Sequence, residues 1–516
     1  MASLFRTAAG WLERSPDTPA MFERRLREPW KQFALLLLAG LILRIATFGD
    51  PNLHVDEAFY FVVGQEMHHG ALPYVDIWDR KPVGLFLIYY LIAGISANVV
   101  AYQVAAWLFA SATAWIIARI AARWAGVQGS VLAGVTYLLM LGPFEGFGGQ
   151  TPIFYNLLIA GAALLLLRAQ PQLAVGVPTG RTFMAMALCG LALTIKQTTL
   201  FESLCFGLFV SWNLWRSPAP MLRIVLLLAV CAVLGALPTL LSALAYYQLG
   251  HWAEFWQAMV TSNLAKVQPT ILLIALNCLR IVLRLYPYFA MIWLGIRFAD
   301  PAVLDRRDKV FMTLWLVGAV LGVTAVPNFY SHYALPLLVP LAAVSALALD
   351  RRDIGLFAAA MVATFSMVFY QPFDRAGRLR SIESMDRMAQ SIRLHDSGGG
   401  LLVYDGPPYL YALADKRPLT PLAFPHHLNH GIEKDVSQFK TLAETKRILN
   451  AKPGVLAIAV FPSNIPENAA TRSLVLGYAV NNCQLVDVDL SLEINHSELI
   501  AIYGDCRRTG AYLHDY

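Results

Sequence analysis

The sequence predicts a mainly α-helical, polytopic membrane protein that ends in a soluble α/β domain. Three observations carry that prediction. Hydrophobic residues fill 57% of the 516 positions and charged residues only 14%, against roughly 25% charged in ordinary soluble domains. Apolar runs of about twenty residues, each long enough to cross a ~30 Å hydrocarbon core, recur from Lys31 to Tyr370. After Tyr370 the runs shorten, become β-branched and are bounded by turn residues. The formal charge of +6 is no argument for nucleic acid, because the basic residues sit at the ends of the apolar runs. The first 30 residues, with "FERRLREPWKQ", are too polar for the h-region of a cleaved signal peptide.

Eleven spans are expected, near 32–48, 98–120, 127–143, 153–168, 182–195, 199–214, 222–248, 270–298, 309–326, 333–349 and 354–370. The positive-inside rule supports the count. Arg24, Arg25, Arg27 and Lys31 precede the first span. Arg119 and Arg123, Arg168 and Arg181, Arg216 and Arg223, Arg306, Arg307 and Lys309, then Arg351 and Arg352 fall in alternate loops. The other loops carry chiefly Arg80, Lys81, Lys196 and Lys266. This places a short N-terminal segment (1–30) in the cytoplasm, followed by a membrane domain (31–372). Its first outer loop with juxtamembrane helices (49–97) and the soluble domain (373–516) lie outside. A bacterial inner membrane with a periplasmic C-terminal domain is the expected setting.

In the soluble domain, "GGGLLVYDG", "GVLAIAVFP", "CQLVDVDLSLEI" and "SELIAIYGDC" read as strands, and "VSQFKTLAETKRILNAK" has helical spacing. Cys483 and Cys506 lie near predicted strand positions in a compartment that permits disulfides; spacing alone leaves their pairing open. Cys189, Cys205, Cys231 and Cys278 fall in or near spans and read as inert fillers.

Ionisable residues gather on the outer face. The first loop, "NLHVDEAFYFVVGQEMHHGALPYVDIWDRKPVG", holds Asp56, Glu57, Asp79, Arg80 and Lys81; its His68 and His69 read as exposed loop residues. "MLGPFEGFGGQTPIFYN" brings Glu145 and Gln150 to the outer end of the third and fourth spans. Lys196 interrupts an apolar hairpin, where a buried ammonium calls for an anionic partner. "HWAEFWQAMVTSNLAKVQ" spaces Trp252 and Trp256 as in an interfacial helix. Arg280 and Arg284 share one helix face, and "VPNFYSHYALP" presents Tyr330, His332 and Tyr333. Singly, each has a plain reading: solvated acids, arginines that snorkel to headgroups, a belt histidine. Together they face one compartment at one depth, where ionisable groups mark a pathway or site. A carboxylate there suits a general base for a hydroxyl, and the cations suit a phosphate leaving group. That chemistry implies sugar transfer from a polyprenyl-phosphate carrier.

The same stretch resembles the first outer loop of the GT-C glycosyltransferases related to protein O-mannosyltransferases and lipid A aminoarabinose transferases. The resemblance rests on Asp56–Glu57 just after the first span and Lys81–Pro82 about 25 residues on. "GLALTIKQTTLFE" and "FYSHYALPLLVPLAAVSAL" resemble later elements of the family, and residues 30–350 share its organisation. It implies an inverting transferase, with Asp56 as catalytic base supported by Glu57. Lys81 would hold the donor phosphate, with Lys196, Arg280 and Arg284 as further phosphate candidates. His332, Tyr330, Tyr333, Asp79, Arg80, Glu145 and Gln150 are other site candidates. Some relatives hold a metal through a Glu before the Lys-Pro; here that residue is Arg80, so no metal ligands are assigned and no cofactor is expected, a divalent metal staying an option. Partners would be the lipid-linked sugar donor, membrane lipids and a lipid, glycan or protein acceptor. The alternative class is a secondary transporter or lipid flippase. Such proteins show inverted repeats and midplane helix breaks, and no internal repeat is visible here. A non-catalytic scaffold would have no need of Lys81 or Lys196.

Overall fold

The computed structural model describes residues 26–265, 270–298, 303–326, 328–461, 466–494 and 496–507. Arg24, Arg25 and Lys266, used above to orient the chain, lie outside the described residues. In chain order the helices are α1 (Pro29–Arg44), α2 (Val55–His68), α3 (Val83–Ile95), α4 (Val100–Ala121), α5 (Val127–Leu141), α6 (Thr151–Ala174), α7 (Gly180–Leu193), α8 (Thr199–Trp215), α9 (Met221–Gln248), α10 (Trp252–Trp256) and α11 (Ile271–Phe298). α12 (Arg306–Thr324), α13 (Leu335–Leu349) and α14 (Arg352–Tyr370) close the membrane domain. α15 (Arg375–His395), α16 (Thr441–Asn450) and α17 (Ala469–Asn482) belong to the C-terminal domain.

Each of the eleven expected spans is a helix: α1, α4 to α9 and α11 to α14. Among the described residues, eight helices are long and apolar enough to cross a membrane by themselves. The three that fall short have visible reasons. α12 opens on Arg306, Arg307, Asp308 and Lys309. α7 and α8 have 14 and 17 residues, so at ~1.5 Å per residue α7 rises only about 21 Å. The protein is an integral membrane protein.

α13 is the central post, with all residues from Leu335 to Leu349 buried. α9 and α11 are peripheral and apolar on their outer faces, where Leu240, Leu241 and Leu283 are exposed, as lipid-facing helices require. Small residues let backbones approach: a Cβ at Gly190 of α7 would press on the Gly235 carbonyl of α9, and one at Gly318 of α12 on α8.

The C-terminal domain is built on a mixed sheet of order β1-β2-β4-β3, with β1 (Leu401–Val403) parallel to β2 (Val455–Ala459). β4 (Ser497–Gly504) runs antiparallel to both β2 and β3 (Gln484–Leu492). Cys483 and Cys506 form a disulfide at the base of the β3–β4 hairpin, resolving the pairing that spacing left open. The other four cysteines are free, and all but Cys278 are buried.

This domain is fastened to the first loop. Arg80 forms a two-pronged ion pair with Glu433. Arg417 pairs with Glu66 at 2.7 Å and Arg378 with the buried Asp50 at 2.9 Å. The Trp78 amide donates to the Pro421 carbonyl at 2.8 Å and Gln438 Nε2 to the Tyr74 carbonyl at 2.6 Å. Partly buried, hydrogen-bonded ion pairs of this kind fix orientation more than they add stability.

Candidate active site

Five segments meet under the C-terminal domain. The His54 side chain caps α2 by accepting from the Asp56 amide at 3.1 Å through Nδ1, and so sets Asp56 and Glu57 in the first helical turn. α3 begins behind the extended Pro82, which leaves Lys81 at its mouth. Gln150 is the N-cap of α6, with Pro152 in its first turn, the favoured place for a residue lacking an N–H. The α7–α8 turn brings Lys196 and Thr198, and the short helix Ser331–Ala334 before α13 brings His332 and Tyr333.

A narrow cleft lies among them, lined by Asp56, Lys81, Gln150, Lys196, His332 and Tyr333 together with Gly322 and Val326 at the α12 end. Tyr60 and Tyr155 complete its walls. Two cations and the N-terminus of α6 converge on it, a combination that favours an anion. The Lys81 ammonium lies 5.2 Å from the Tyr60 ring centre and that of Lys196 4.9 Å from Tyr333.

Opposite the lysines stands a chain of acids and imidazoles. Asp56 Oδ2 is 3.9 Å from His332 Nε2, and His332 Nδ1 is 3.0 Å from Glu145 Oε2. His54 Nε2 is 3.9 Å from the same Glu145 oxygen. Because Nδ1 of His54 accepts, its proton sits on Nε2, facing Glu145. Burial raises the Asp56 carboxyl, but Lys81, His54, His332 and His426 outweigh it and hold Asp56 well below the usual carboxylate range. Burial likewise raises Glu145, and the His332 hydrogen bond overcomes it, bringing the group down to about 2. Burial works against the Lys81 charge, yet Asp79 and Asp56 lift its pKa above the ordinary value. Burial lowers His54, against the pull of Asp56 and Glu145.

Glu57 behaves differently. It is fully buried, and burial pushes it up to about 8 against the Gly149 backbone and Arg44, which pull it down. It packs against the loop 145–150 so closely that a methyl on Gly148 would collide with both carboxyl oxygens. From the other side Arg44 donates to the Phe147 and Gly146 carbonyls at 2.5 and 2.6 Å. Glu57 thus packs behind Asp56 against the loop that carries Glu145.

The remaining expected residues divide. Tyr330 stacks on His332 with ring centres 5.9 Å apart. Asp79 is buried beside Lys81, accepting the Arg80 amide at 2.5 Å, while Arg80 is turned to Glu433 and so tethers the C-terminal domain. Arg280 and Arg284 are not brought to the cleft wall: Arg284 donates to the Pro143 carbonyl (2.8 Å) and Ser331 Oγ (2.5 Å), and Arg280 to Asn277 (3.4 Å). His68 hydrogen-bonds the Tyr90 carbonyl and stacks on its ring, away from the cleft. His54 and His426 were not singled out in the sequence. His54 was visible as a possible N-cap two residues before Asp56; His426 comes from a loop nearly 400 positions away.

His54, Glu145 and His332 present ligand atoms all within 4.8 Å of one another. Two imidazoles and a carboxylate are donor types that a zinc-like ion accepts, but with Nδ1 of His54 accepting from the Asp56 amide, a cation at its Nε2 would have to displace the proton there.

Fold and cleft together define a polytopic, mainly α-helical membrane protein with a docked C-terminal α/β domain. Among solved structures it is similar to ArnT from Cupriavidus metallidurans bound to undecaprenyl phosphate, with TM-score 0.60 and 14% identity over 91% of this chain and 97% of that one. The apo state of the same protein gives 0.59 and 14% over 92% and 98%. The oligosaccharyltransferase from Archaeoglobus fulgidus in its apo form gives 0.49 and 10% over 84% and 69%. At such identities the likeness is one of fold. No family model and no curated protein sequence matches the chain.

Proposed function

We propose that the protein is a membrane glycosyltransferase that moves a sugar from a polyprenyl-phosphate donor to an acceptor hydroxyl, with inversion, at the periplasmic face of a bacterial inner membrane. The observation that carries this reading is that Asp56 lines one cleft together with Lys81, Lys196 and the first turn of α6. The fold shared with an ArnT structure that holds undecaprenyl phosphate supports it.

The donor phosphate binds at Lys81, with Lys196 and the Thr151 end of α6 beside it, while its lipid tail runs out along the membrane helices. Its charge offsets the Lys81 ammonium, which otherwise holds Asp56 down, so donor binding itself makes Asp56 more basic. Asp56 then takes the proton of the acceptor hydroxyl. The acceptor oxygen bonds to the anomeric carbon as the bond from that carbon to the phosphate oxygen breaks. The electron pair leaves on the phosphate, where the cations stabilise it. His332, bonded to Glu145, stands next to Asp56 to receive the proton. A divalent cation at His54, Glu145 and His332 would supply charge stabilisation near the acceptor; the steps above use the protein's own side chains.

The test separates binding from chemistry. Asp56→Asn retains undecaprenyl phosphate but forms no glycosylated product, and Lys81→Ala loses the lipid phosphate. Full transfer by purified Asp56→Asn protein would overturn the base assignment.

A further inference from the structure

We infer that a second cavity, at the seam between the membrane domain and the C-terminal domain, binds the head group of a phosphatidylethanolamine-type lipid: a phosphate and a primary ammonium joined by a two-carbon link. The site is separate from the cleft of Asp56 and does not depend on the reaction proposed there.

The cavity has a volume of about 200 Å³. Thr47 reaches it from the short helix after α1, Tyr370 and Gln371 from the end of α14, Asp374 and Arg378 from the start of α15, and Ile494 from the β3–β4 turn. α1 and α14 belong to membrane spans that end here, so the cavity lies at the level of lipid head groups, where pockets between membrane helices hold them. Its α14 side faces lipid: Phe369 also lines the cavity and is exposed, as are Val368 and Phe373 beside it. An amphipathic molecule can keep its chains along α14 and place only its polar end inside.

The charges at the seam balance. Arg378 donates through Nη1 to the buried Asp50 carboxylate at 2.9 Å and to the Leu492 carbonyl at 3.3 Å; the guanidinium has further N–H donors, which suit a phosphate. Asp374 caps α15 by accepting the Gly377 amide at 2.8 Å through Oδ1, and a carboxylate has acceptor capacity beyond one such bond. The Arg378 amide donates to the Asp374 carbonyl at 3.2 Å, so one helical turn separates the cation from the anion along one side of the helix start. Arg375 donates to the Ala46 and Phe48 carbonyls, each at 3.0 Å. Arg375 and Arg378 thus offset Asp50 and Asp374, and a balanced pair of charges matches this seam better than a lone anion. The aromatic rings of the lining are already engaged, Tyr370 stacked on Phe147 at 5.3 Å and Phe369 under the Arg284 guanidinium at 6.0 Å. The ammonium is therefore matched by a carboxylate, which favours a primary amine with its N–H donors over a quaternary one, the usual ligand of open aromatic faces.

Gln371 supports the assignment independently. It ends α14 in the left-handed region, with φ 49° and ψ 58°, where glycine is the ordinary choice and any other residue costs roughly 1–2 kcal/mol. Its side chain lines the cavity, so the strained position keeps an amide at the site.

The experiment uses the full purified chain. Native mass spectrometry follows the retention of phosphatidylethanolamine, phosphatidylglycerol and phosphatidylcholine of identical acyl chains, added in equal amounts. Phosphatidylethanolamine is expected to be retained at least about tenfold over each of the others. Asp374→Asn keeps an oxygen for the α15 cap and is expected to abolish that preference with an unchanged melting curve. Gln371→Gly relieves the backbone and is expected to weaken retention of phosphatidylethanolamine without lowering the melting temperature, a split that a merely structural role would not give. Excess water-soluble glycerophosphoethanolamine is expected to leave the bound lipid in place. Equal retention of the three lipids, or an unaltered preference in both folded variants, would overturn the inference. Displacement by the soluble head group would overturn the assignment to a lipid.

Discussion

Glu57 offers the sharpest test of how the site is held. Its neighbour Asp56 is held well below the usual carboxylate range, whereas burial raises Glu57 from an ordinary 4.5 to about 8. That rise corresponds to roughly 5 kcal/mol against ionising it in place, of which about 3 are already felt at pH 7. The sign follows directly. A carboxyl whose folded pKa is raised contributes stability that is whole below pH 4.5 and lost as pH climbs through 8. Glu57→Gln keeps the shape and the neutral state, so thermal unfolding of the purified protein between pH 5 and 9 should fall less steeply than wild type. Glu493 and Asp405, raised by burial to about 8 and about 7, still contribute to the remaining slope. Transfer activity at pH 7 should stay within about threefold, because nothing made only in the transition state is removed. Glu57→Ala instead leaves a cavity under the 145–150 loop, with a loss of ~2–4 kcal/mol by analogy with large-to-small core changes. A Glu57→Gln protein with wild-type pH dependence, or one as inactive as Asp56→Asn, would show that Glu57 works as a charge.

Other consequences are more direct. Gly148→Ala should disturb the same loop and lower transfer at least about tenfold, since misplacement near a reacting group by 1 Å is that damaging; kinetics at saturating donor checks it. Lys81→Ala should weaken undecaprenyl phosphate at least about tenfold and Lys196→Ala less, each seen by native mass spectrometry. Treatment with EDTA should leave transfer unchanged, because His332 already hydrogen-bonds Glu145; loss on chelation and rescue by zinc would assign the His54–Glu145–His332 cluster to a metal. Cys506→Ser opens a loop of 23 residues and should destabilise the C-terminal domain by ~3 kcal/mol, read as earlier proteolysis of residues 373–507.

Much of this architecture was legible in the sequence because bilayer physics writes it plainly. Apolar length placed a helix at each of the eleven expected spans, eight of them long and apolar enough to cross a membrane among the described residues, and β-branched runs between turn residues placed the four strands. α15 and α17 escaped: the buried side of α15 is Ser381, Ser384, Met385, Met388 and Ile392, too mixed for a strong apolar stripe. Asp56, Lys81, Lys196 and His332 were readable as isolated ionisable groups at one membrane depth. Their partners were less so. Arg284 was expected at the phosphate but braces Pro143 and Ser331, since a sequence shows which helix face a side chain occupies and not which carbonyl is nearest. His426 could not be connected to Asp56 by any local pattern, because only the docking of the C-terminal domain through Arg80–Glu433 and Arg417–Glu66 brings it there.

The central claim is that Asp56 and the two lysines transfer a sugar from a polyprenyl-phosphate carrier. The most direct measurement is mass spectrometry of membrane lipids and glycans from cells making wild-type protein or Asp56→Asn at equal levels. A glycosylated product and free polyprenyl phosphate present with wild type, and a sugar-loaded carrier that accumulates with Asp56→Asn, is the predicted result. Identical profiles, or movement of a lipid between leaflets with no new covalent product, would contradict the account.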